Sequence, residues 1–436
     1  MQEKLIIFDC RKCDFVIFPP QILQKNKNNN FWLTMKYVII LGDGMADYPI
    51  ETLDGKTPLA VAKKPMMDYL AGKGEVGLVK TVPDGFTPGS DVANLGVLGY
   101  DVRTCYTGRS PLEALSMGIT LEDDDVALRT NLVTLSNDEP FENKKMVDYS
   151  AGEIPTEDSA ILIDEIVKNL GDDTVRFYAG VSYRHILVLK GVGKDSINDL
   201  QLTPPHNITG KAIKDHLPKG KLGDNLTALM KASNEVLKNH DINQKRTLSC
   251  QNNANNIWFW GQGTAPLLET FDKKYGLKGA VISAVDLLKG IAKGAGMYAP
   301  MVDGATGLIN TNYNGKAQTA LQLLDDYDFV FVHLEAPDEC GHQGDLAGKI
   351  KSIELIDEKI LTPIYNGLKG KTDFRIMVLP DHRTPISVRT HTGEPVPYFI
   401  YDSTEEKQGC CYDEISAEKT NIYIDEPTHL TKRFFS

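Results

Sequence analysis

The sequence predicts an α/β fold with a mostly parallel sheet flanked by helices and an inserted α/β domain. Three apolar runs of strand length end on a carboxylate or lead directly to one, at Asp43, Asp338 and Asp381. Such runs are typical of parallel strands that are buried on both faces. Between the first run and the last two, strand and helix patterns alternate without this strand-end carboxylate, which predicts a separate inserted unit.

Histidines accompany the carboxylates at the later strand ends. His342, His382 and His391 follow one another closely, in a chain that has nine histidines in total. Ligand sites in open α/β sheets gather at the carboxyl ends of strands, so we expect these side chains to share one rim. Carboxylate and imidazole donors together suit a divalent ion such as Zn or Mn, whereas a Mg or Ca site would be nearly all oxygen. A metal site at this rim is therefore predicted.

Length, charge and cysteine content narrow the class of protein. A chain of 436 residues is long enough for two or three domains with a large core. The formal net charge of -12 argues against a nucleic-acid or anionic-membrane partner. No apolar run approaches the roughly 20 residues of a membrane helix. The seven scattered cysteines do not suggest a disulfide framework, so we expect a cytoplasmic protein.

The domain organisation follows from changes in pattern along the chain. Residues 1–34 contain a Lys/Asn tract without periodicity and are predicted to be a poorly ordered extension, with Met35 just before the first convincing strand. A core domain is expected at residues 35–117 plus 257–436. The inserted domain is expected at residues 118–256, and a strand that starts at Ile257 is expected to return the chain to the core.

Hydrophobic periodicity locates further elements. Helices are predicted at residues 57–70, 159–170, 225–239 and 344–357, and strands at 76–82, 127–135, 176–179 and 185–190.

Ser90 is the candidate nucleophile. Gly89 precedes it and is expected to permit a tight turn, and a helix is predicted to begin just after, so that backbone N–H groups face an incoming anion. A serine in such a turn is more often a helix cap than a nucleophile. Beside the predicted metal site, however, its hydroxyl would supply what phosphoryl transfer through a covalent intermediate requires.

Four stretches together resemble the cofactor-independent phosphoglycerate mutases of archaeal type, in the alkaline phosphatase superfamily. The resemblance runs from Met35 to near the C-terminus and rests on residues 42–47, on 88–94, on 335–342 and on Asp381-His382 with His391. It implies an alkaline-phosphatase-like core and interconversion of 3-phosphoglycerate and 2-phosphoglycerate without 2,3-bisphosphoglycerate. It also implies two divalent ions, Mn or Zn first, with Mg compatible.

The resemblance assigns the ligands by position. One metal ion would be held by Asp338, His342 and His391. The other would be held by Asp43, Ser90, Asp381 and His382, and Ser90 would pass through a phosphoserine.

Basic residues are candidates for binding a small phosphorylated hydroxy acid. Each of Arg109, Arg129 and Arg184 is, taken alone, more often a surface charge, but the guanidinium fork suits phosphate and carboxylate groups. The resemblance adds His185 and places Lys278 near the active site.

Three other functions fit parts of the pattern. A homoserine kinase-like phosphotransferase would use the same metals and serine, although the chain has no G-x-x-x-x-G-K-[ST] phosphate loop. A phosphomonoesterase would release phosphate without isomerisation. A non-catalytic metal-binding protein would keep the ligands and have no use for Ser90.

Overall fold

A computed structural model describes residues 24–25, 32–33 and 35–436. The prediction of a poorly ordered extension at residues 1–34 therefore falls, apart from those two pairs, outside the described residues. The strands are β1 Gln24–Lys25, β2 Trp32–Leu33, β3 Lys36–Gly42, β4 Glu75–Val79, β5 Val126–Leu135, β6 Met146–Asp148, β7 Val175–Val181, β8 Arg184–Leu189, β9 Asn256–Thr264, β10 Gly279–Ile282, β11 Phe329–Leu334, β12 Phe374–Leu379, β13 Val396–Asp402 and β14 Tyr423–Ile424. The helices are α1 Pro58–Val61, α2 Pro65–Gly72, α3 Ser90–Val97, α4 Val102–Cys105, α5 Arg109–Ser116, α6 Thr156–Leu170, α7 Gly223–Leu237, α8 Asp241–Leu248, α9 Phe271–Tyr275, α10 Asp286–Gly294, α11 Tyr313–Asp326, α12 Ala336–Gln343, α13 Leu346–Ile356, α14 Thr362–Leu368, α15 Glu414–Lys419 and α16 Pro427–Phe435.

The larger sheet has seven strands in the order β10-β11-β3-β12-β13-β4-β14. Strands β10, β11, β3 and β12 are parallel to one another, while β13 runs antiparallel to both of its neighbours. The central strands β3, β11 and β12 are the three apolar runs of the sequence. This arrangement confirms the predicted α/β fold with a mostly parallel sheet.

Both faces of this sheet are buried, which explains why its strands are continuously apolar. Along β3, Val38 and Ile40 pack with α2, α11 and α14 on one face, and Ile39 and Leu41 pack with α3, α10 and α16 on the other. The four side chains are fully buried. The sheet is therefore packed on both faces, and this packed core supports the chain segments at its carboxyl edge.

The second sheet is antiparallel and lies in the middle of the sequence. Its strand β5 pairs with β6, β8 and β9, and β7 pairs with β8. Helices α6 and α7 and the strand residues Trp258 and Phe259 build a separate apolar cluster against it. The strand predicted to return the chain to the core at Ile257 is β9, so that prediction is wrong: β9 completes the second sheet. The division into a core and an inserted domain otherwise stays a prediction.

One predicted helix is broken. The pattern at residues 57–70 is divided into α1 and α2, because Pro65 begins α2 and has no N–H to continue the helix before it. Thr57 caps α1, with its hydroxyl accepting a hydrogen bond from the Ala60 N–H at 3.1 Å. Within the described residues, no helix combines the length and apolar character that a membrane crossing requires.

Candidate active site

Seven side chains singled out in the sequence meet at the carboxyl edge of the larger sheet. Asp43 follows β3, and Asp381 and His382 follow β12, its parallel neighbour. Helix α12 follows β11 on the other side of β3 and carries Asp338 and His342. Because parallel neighbours end at the same edge, residues far apart in the sequence come within a few ångströms of one another.

The first group consists of Asp338, His342 and His391. The Nε2 atoms of His342 and His391 lie 3.2 and 3.5 Å from different carboxylate oxygens of Asp338, and 3.0 Å from each other. The Nδ1 atoms face backbone carbonyls, that of Arg389 at 3.0 Å and that of Pro88 at 3.4 Å. A carbonyl only accepts hydrogen bonds, so each Nδ1 carries a proton, and Nε2 is the nitrogen left for a metal ion once it is deprotonated.

The second group surrounds Ser90. Its Oγ lies 3.2 Å from Asp43 Oδ2 and 3.2 Å from His382 Nε2. His382 Nε2 also lies 3.6 Å from Asp43 Oδ1 and 3.4 Å from Asp381 Oδ2. The imidazole rings of His382 and His391 stack with centroids 4.0 Å apart, so the two groups are adjacent. Such a pair of sites suits two closely spaced cations.

The electrostatics of the carboxylates fit divalent cations. Asp43, Asp338 and Asp381 are all buried. Burial, together with the charges of Asp381 and Asp338, raises the pKa of Asp43 well above its ordinary value. Asp43 Oδ1 is buried without a hydrogen-bond partner among the described residues. Ionised carboxylates packed in this way need positive charge between them, and a set of oxygen and imidazole donors suits divalent ions such as Mn or Zn.

Ser90 is the first residue of helix α3, where backbone N–H groups lack intrahelical partners. The preceding Gly89 has φ -176, an extended conformation, so the expectation that this glycine makes a tight turn is wrong. Asn94, one turn along the helix, donates to the Ser90 carbonyl at 2.9 Å and to Asp381 Oδ2 at 3.0 Å. Asn94 thus fixes the start of the helix against a carboxylate of the second group.

Gly44 is required by its surroundings. It has φ +60, and a Cβ there would lie 2.5 Å from Thr384 Oγ1 and 2.6 Å from Asp338 Oδ1. The Gly44 N–H donates to Asp381 Oδ1 at 3.1 Å. A glycine at this position therefore allows the backbone to lie close to the carboxylates of both Asp338 and Asp381.

Two buried residues behind the site were not singled out by the sequence pattern. His333 Nε2 lies 2.9 Å from Asp43 Oδ2, and its Nδ1 lies 3.2 Å from the Ser283 hydroxyl. Burial lowers the pKa of His333 to about 3, so it is a neutral donor that orients Asp43. Lys316 donates to the His333 carbonyl at 3.1 Å, and burial lowers its pKa to about 8. His333 lies inside an apolar strand and Lys316 lies in an ordinary amphipathic helix. Neither position in the sequence pattern indicates a functional residue.

A cavity of about 250 Å³ opens between the two sheets and contains three of the predicted arginines. Its core side is formed by α5 and by residues 284–287, which follow β10 at the carboxyl edge. Glu113 accepts from Arg109 Nε at 3.0 Å through one oxygen and lies 3.0 Å from Arg129 Nε through the other. Arg129 also stacks over the Trp260 ring at 4.3 Å. Glu113 thus binds both guanidinium groups through their Nε atoms.

Arg184 and His185 complete the cavity from the second sheet. His185 Nδ1 accepts from the Gly180 N–H at 3.0 Å, so Nε2 carries the proton. That Nε2 is buried without a partner among the described residues. Burial lowers the pKa of His185 to about 3, so this ring is a neutral hydrogen-bond donor at physiological pH.

The expectation that Lys278 lies near the active site is corrected here, because the structure does not bring this residue to the site. It immediately precedes β10, at the amino end of the sheet, where it exchanges hydrogen bonds with Asp328 just before β11. Its side chain is exposed. Lys316 approaches the site from behind instead, through the carbonyl of His333, whose ring contacts Asp43.

Comparison with known proteins places the chain in a family. The family model described as 2,3-bisphosphoglycerate-independent phosphoglycerate mutase matches residues 71–243. A protein of that name from Methanosarcina barkeri is 50% identical over 400 residues, covering 91% of this chain and 98% of the relative. A protein from Geobacter sulfurreducens, named as a probable enzyme of the same kind, is 48% identical over 399 residues, covering 91% of this chain and 98% of the relative.

Solved structures share the fold. A protein from Pyrococcus horikoshii superposes with a TM-score of 0.78 at 30% identity, covering 92% of this chain and 98% of the other. The cofactor-independent phosphoglycerate mutase from Thermoplasma acidophilum superposes with a TM-score of 0.65 at 26% identity, covering 92% and 99%. With near full-length relatives at about half identity, the chain belongs to the family of 2,3-bisphosphoglycerate-independent phosphoglycerate mutases.

Proposed function

We propose that this protein interconverts 3-phosphoglycerate and 2-phosphoglycerate through a phosphoserine at Ser90. The observation that carries the proposal is the position of the Ser90 hydroxyl, 3.2 Å from both Asp43 Oδ2 and His382 Nε2. A serine that only capped a helix would have no need of a buried carboxylate and an imidazole around its oxygen. The names of the relatives, at about half identity over nearly their whole length, supply the substrate.

We assign two divalent ions to the two groups described above. Asp338, His342 and His391 would hold one ion. Asp43, Ser90, Asp381 and His382 would hold the other. When bound, such ions lower the pKa of a hydroxyl and neutralise phosphate oxygens.

The chain's own residues then have distinct tasks. The Ser90 hydroxyl donates toward Asp43 Oδ2, which leaves a lone pair of Oγ for the phosphorus atom. The Oγ–P bond forms as the bond from phosphorus to the substrate's oxygen breaks. The Ser90 proton passes to Asp43 Oδ2 while the departing oxygen takes up one proton, and the return transfer reverses both proton movements. The glycerate then turns within the cavity, and its other hydroxyl takes the phosphoryl group back from Ser90. The cavity must exclude water meanwhile, since hydrolysis of the phosphoserine would make the enzyme a phosphatase.

Substrate binding falls to the cavity between the sheets. Arg109 and Arg129 use Nε to bind Glu113, so their terminal nitrogens are the groups left for a ligand. His185 Nε2–H offers a neutral donor to a hydroxyl or carboxylate oxygen. Arg184 adds a third cation. Three guanidinium groups suit a molecule that carries both a phosphate and a carboxylate.

An assay with separated products tests this function against its rivals. Purified protein with Mn²⁺ and 3-phosphoglycerate should form 2-phosphoglycerate much faster than inorganic phosphate. Phosphate release without 2-phosphoglycerate would indicate the phosphomonoesterase. Phosphorylation of homoserine by ATP, with no isomerisation, would indicate the kinase-like phosphotransferase, and inactivity with intact metal binding would indicate the non-catalytic protein.

Replacing Arg129 or Arg184 should weaken substrate use without loss of metal. Arg129→Ala or Arg184→Ala removes a charged hydrogen-bond donor, which costs about 1.5 to 3 kcal/mol, or roughly tenfold to more than a hundredfold in kcat/KM. The matched control is Arg176→Ala, because Arg176 is exposed on the same sheet and does not line the cavity. Unchanged steady-state kinetics for both variants would contradict a role for these arginines in substrate binding.

Metal binding should compete with protons. The hydrogen bond to Asp338 raises the pKa of His342 to about 9 in the metal-free protein, so this ring is protonated at pH 7. A proton must therefore leave His342 before an ion binds to it. Affinity should therefore rise as pH increases from 6 toward 9, by about tenfold per unit for each proton displaced. Titration calorimetry in buffers of different ionisation enthalpy measures the protons released. Affinity independent of pH over this range would contradict His342 as a ligand.

A further inference from the structure

Lys349 lies on α13 with its ammonium group completely buried. Its exposed fraction is 0%, and Nζ donates to three oxygens: Asp47 Oδ2 at 2.7 Å, the Thr384 carbonyl at 2.8 Å and the Ala46 carbonyl at 3.2 Å. An ammonium has three N–H donors, so all of its hydrogen bonds are made inside the protein. None of these groups belongs to the metal ligands or to the substrate cavity.

The three acceptors belong to two segments that carry metal ligands. Ala46 and Asp47 continue the turn that begins at Asp43, and Thr384 follows His382 directly after Arg383. The two segments also contact each other, because the Thr384 N–H donates to the Ala46 carbonyl at 3.3 Å. One cation therefore joins the turn after β3 to the turn after β12.

The segment after β12 also contacts the first metal group, through the side chain of Thr384. Its hydroxyl donates to Asp338 Oδ1 and lies 3.3 Å from His382 Nδ1. The side chain thus contacts one ligand from each group, while its carbonyl is held by Lys349. A shift of this residue would displace Asp338 and His382 together.

Asp47 also makes several hydrogen bonds inside the protein. Its Oδ1 accepts from the Tyr48 N–H at 2.8 Å, its Oδ2 from the Ile386 N–H at 3.2 Å, and its own N–H donates to buried Glu414 at 3.0 Å. The carboxylate therefore binds backbone on both segments in addition to Lys349. A buried ion pair adds little net stability by itself, and fixing a geometry is a better reason for one that spans two ligand segments.

We propose that Lys349 and Asp47 are a positioning pair that holds the ligands of both metal groups in binding geometry, so that losing the pair weakens both metal sites at once. The inference rests on the metal ligands assigned under the proposed function. It concerns residues that touch neither metal nor substrate.

The test separates positioning from stability with a neutral pair. Lys349→Met alone leaves Asp47 as an uncompensated buried carboxylate and is expected to lower the melting temperature severely. The double variant Lys349→Met with Asp47→Asn removes both charges and should regain part of that loss. Its Mn²⁺ affinity, measured on folded protein without substrate, should still be about tenfold to a hundredfold weaker than that of the wild type at both sites.

The matched control is Lys144→Met, just before β6 of the second sheet. Lys144 is also buried and donates to Glu139 at 2.9 Å and to the Ser136 carbonyl at 3.3 Å, away from any ligand segment. This variant should lose stability and keep wild-type Mn²⁺ affinity. If the double variant does not fold, Asp47→Asn alone decides, because its amide oxygen can still accept from Lys349 while the ion pair is lost. Weakened affinity at both sites is expected.

Three results would overturn three different statements. A folded double variant, or Asp47→Asn in its place, that binds both ions as tightly as the wild type contradicts the positioning pair and leaves the proposed function standing. Weakening at one site only contradicts the claim that the pair serves both. Wild-type protein that binds no Mn²⁺ contradicts the ligand assignment itself.

Discussion

Ser90→Ala should lose nearly all mutase turnover while the protein remains folded. The substitution removes the proposed acceptor of the phosphoryl group, so we expect kcat to fall on the order of 10⁴-fold or more. If Ser90 were only the start of α3, the change would cost about 1 kcal/mol of stability and leave the chemistry intact. Steady-state assay at saturating Mn²⁺, with metal content and far-UV circular dichroism measured on the same sample, distinguishes these outcomes.

Ser159→Ala is the matched control for this substitution. Ser159 is a buried serine of α6 in the second sheet's cluster, and its hydroxyl donates to the Thr156 carbonyl of its own helix at 3.0 Å. Its replacement should leave turnover unchanged. A Ser90→Ala enzyme with near wild-type isomerisation would remove the serine from the mechanism and require direct transfer between the substrate's hydroxyls.

Removal of metal should abolish activity and spare the fold. The larger sheet is covered on both faces by apolar clusters that contain none of the ligands, so the fold does not depend on an ion. Chelation should lower kcat/KM by roughly a hundredfold or more, because the ions stabilise charge in the transition state. Adding Mn²⁺ back should restore activity with two ions bound per chain, counted by equilibrium dialysis.

Asp338→Asn and Asp345→Asn give a matched pair for the ion count. Asp338 contacts both histidines of the first group, so its amide variant should retain one ion. Asp345 caps α13 through the Gly348 N–H at 2.9 Å, a role that Asn also fulfils, so its variant should retain two. At most one ion per wild-type chain under saturating conditions would contradict the two-metal assignment.

The convergence of Asp43, Asp338 and Asp381 was predictable from sequence because it depends on topology alone. Parallel strands that end at one edge bring their following residues together, whatever the details of packing. Ser90 was predicted in another way, from the helix start that follows it and from its company with the Asp/His pattern, and its helix α3 packs on the face of the sheet occupied by α10 and α16. The strand-end prediction needed only the periodicity of the strands and the residue at each end.

Other features depend on contacts that no local pattern records. The partner of β9 is β5, more than a hundred residues earlier, so residues 256–264 looked like a return to the core although they complete the second sheet. Lys278 was assigned by resemblance, and the structure puts it at the opposite edge. Lys316 and Lys349 occur in amphipathic helices where lysine normally faces water, and only the structure shows both side chains to be buried.

The most direct test of the proposed mechanism is peptide mass analysis of wild-type enzyme quenched in acid while it turns over 3-phosphoglycerate. The mechanism predicts a mass increase of one phosphoryl group on the peptide that contains Ser90, absent without substrate and absent from Ser90→Ala. An enzyme that isomerises its substrate while this peptide stays unmodified at every quench time would contradict the phosphoserine mechanism.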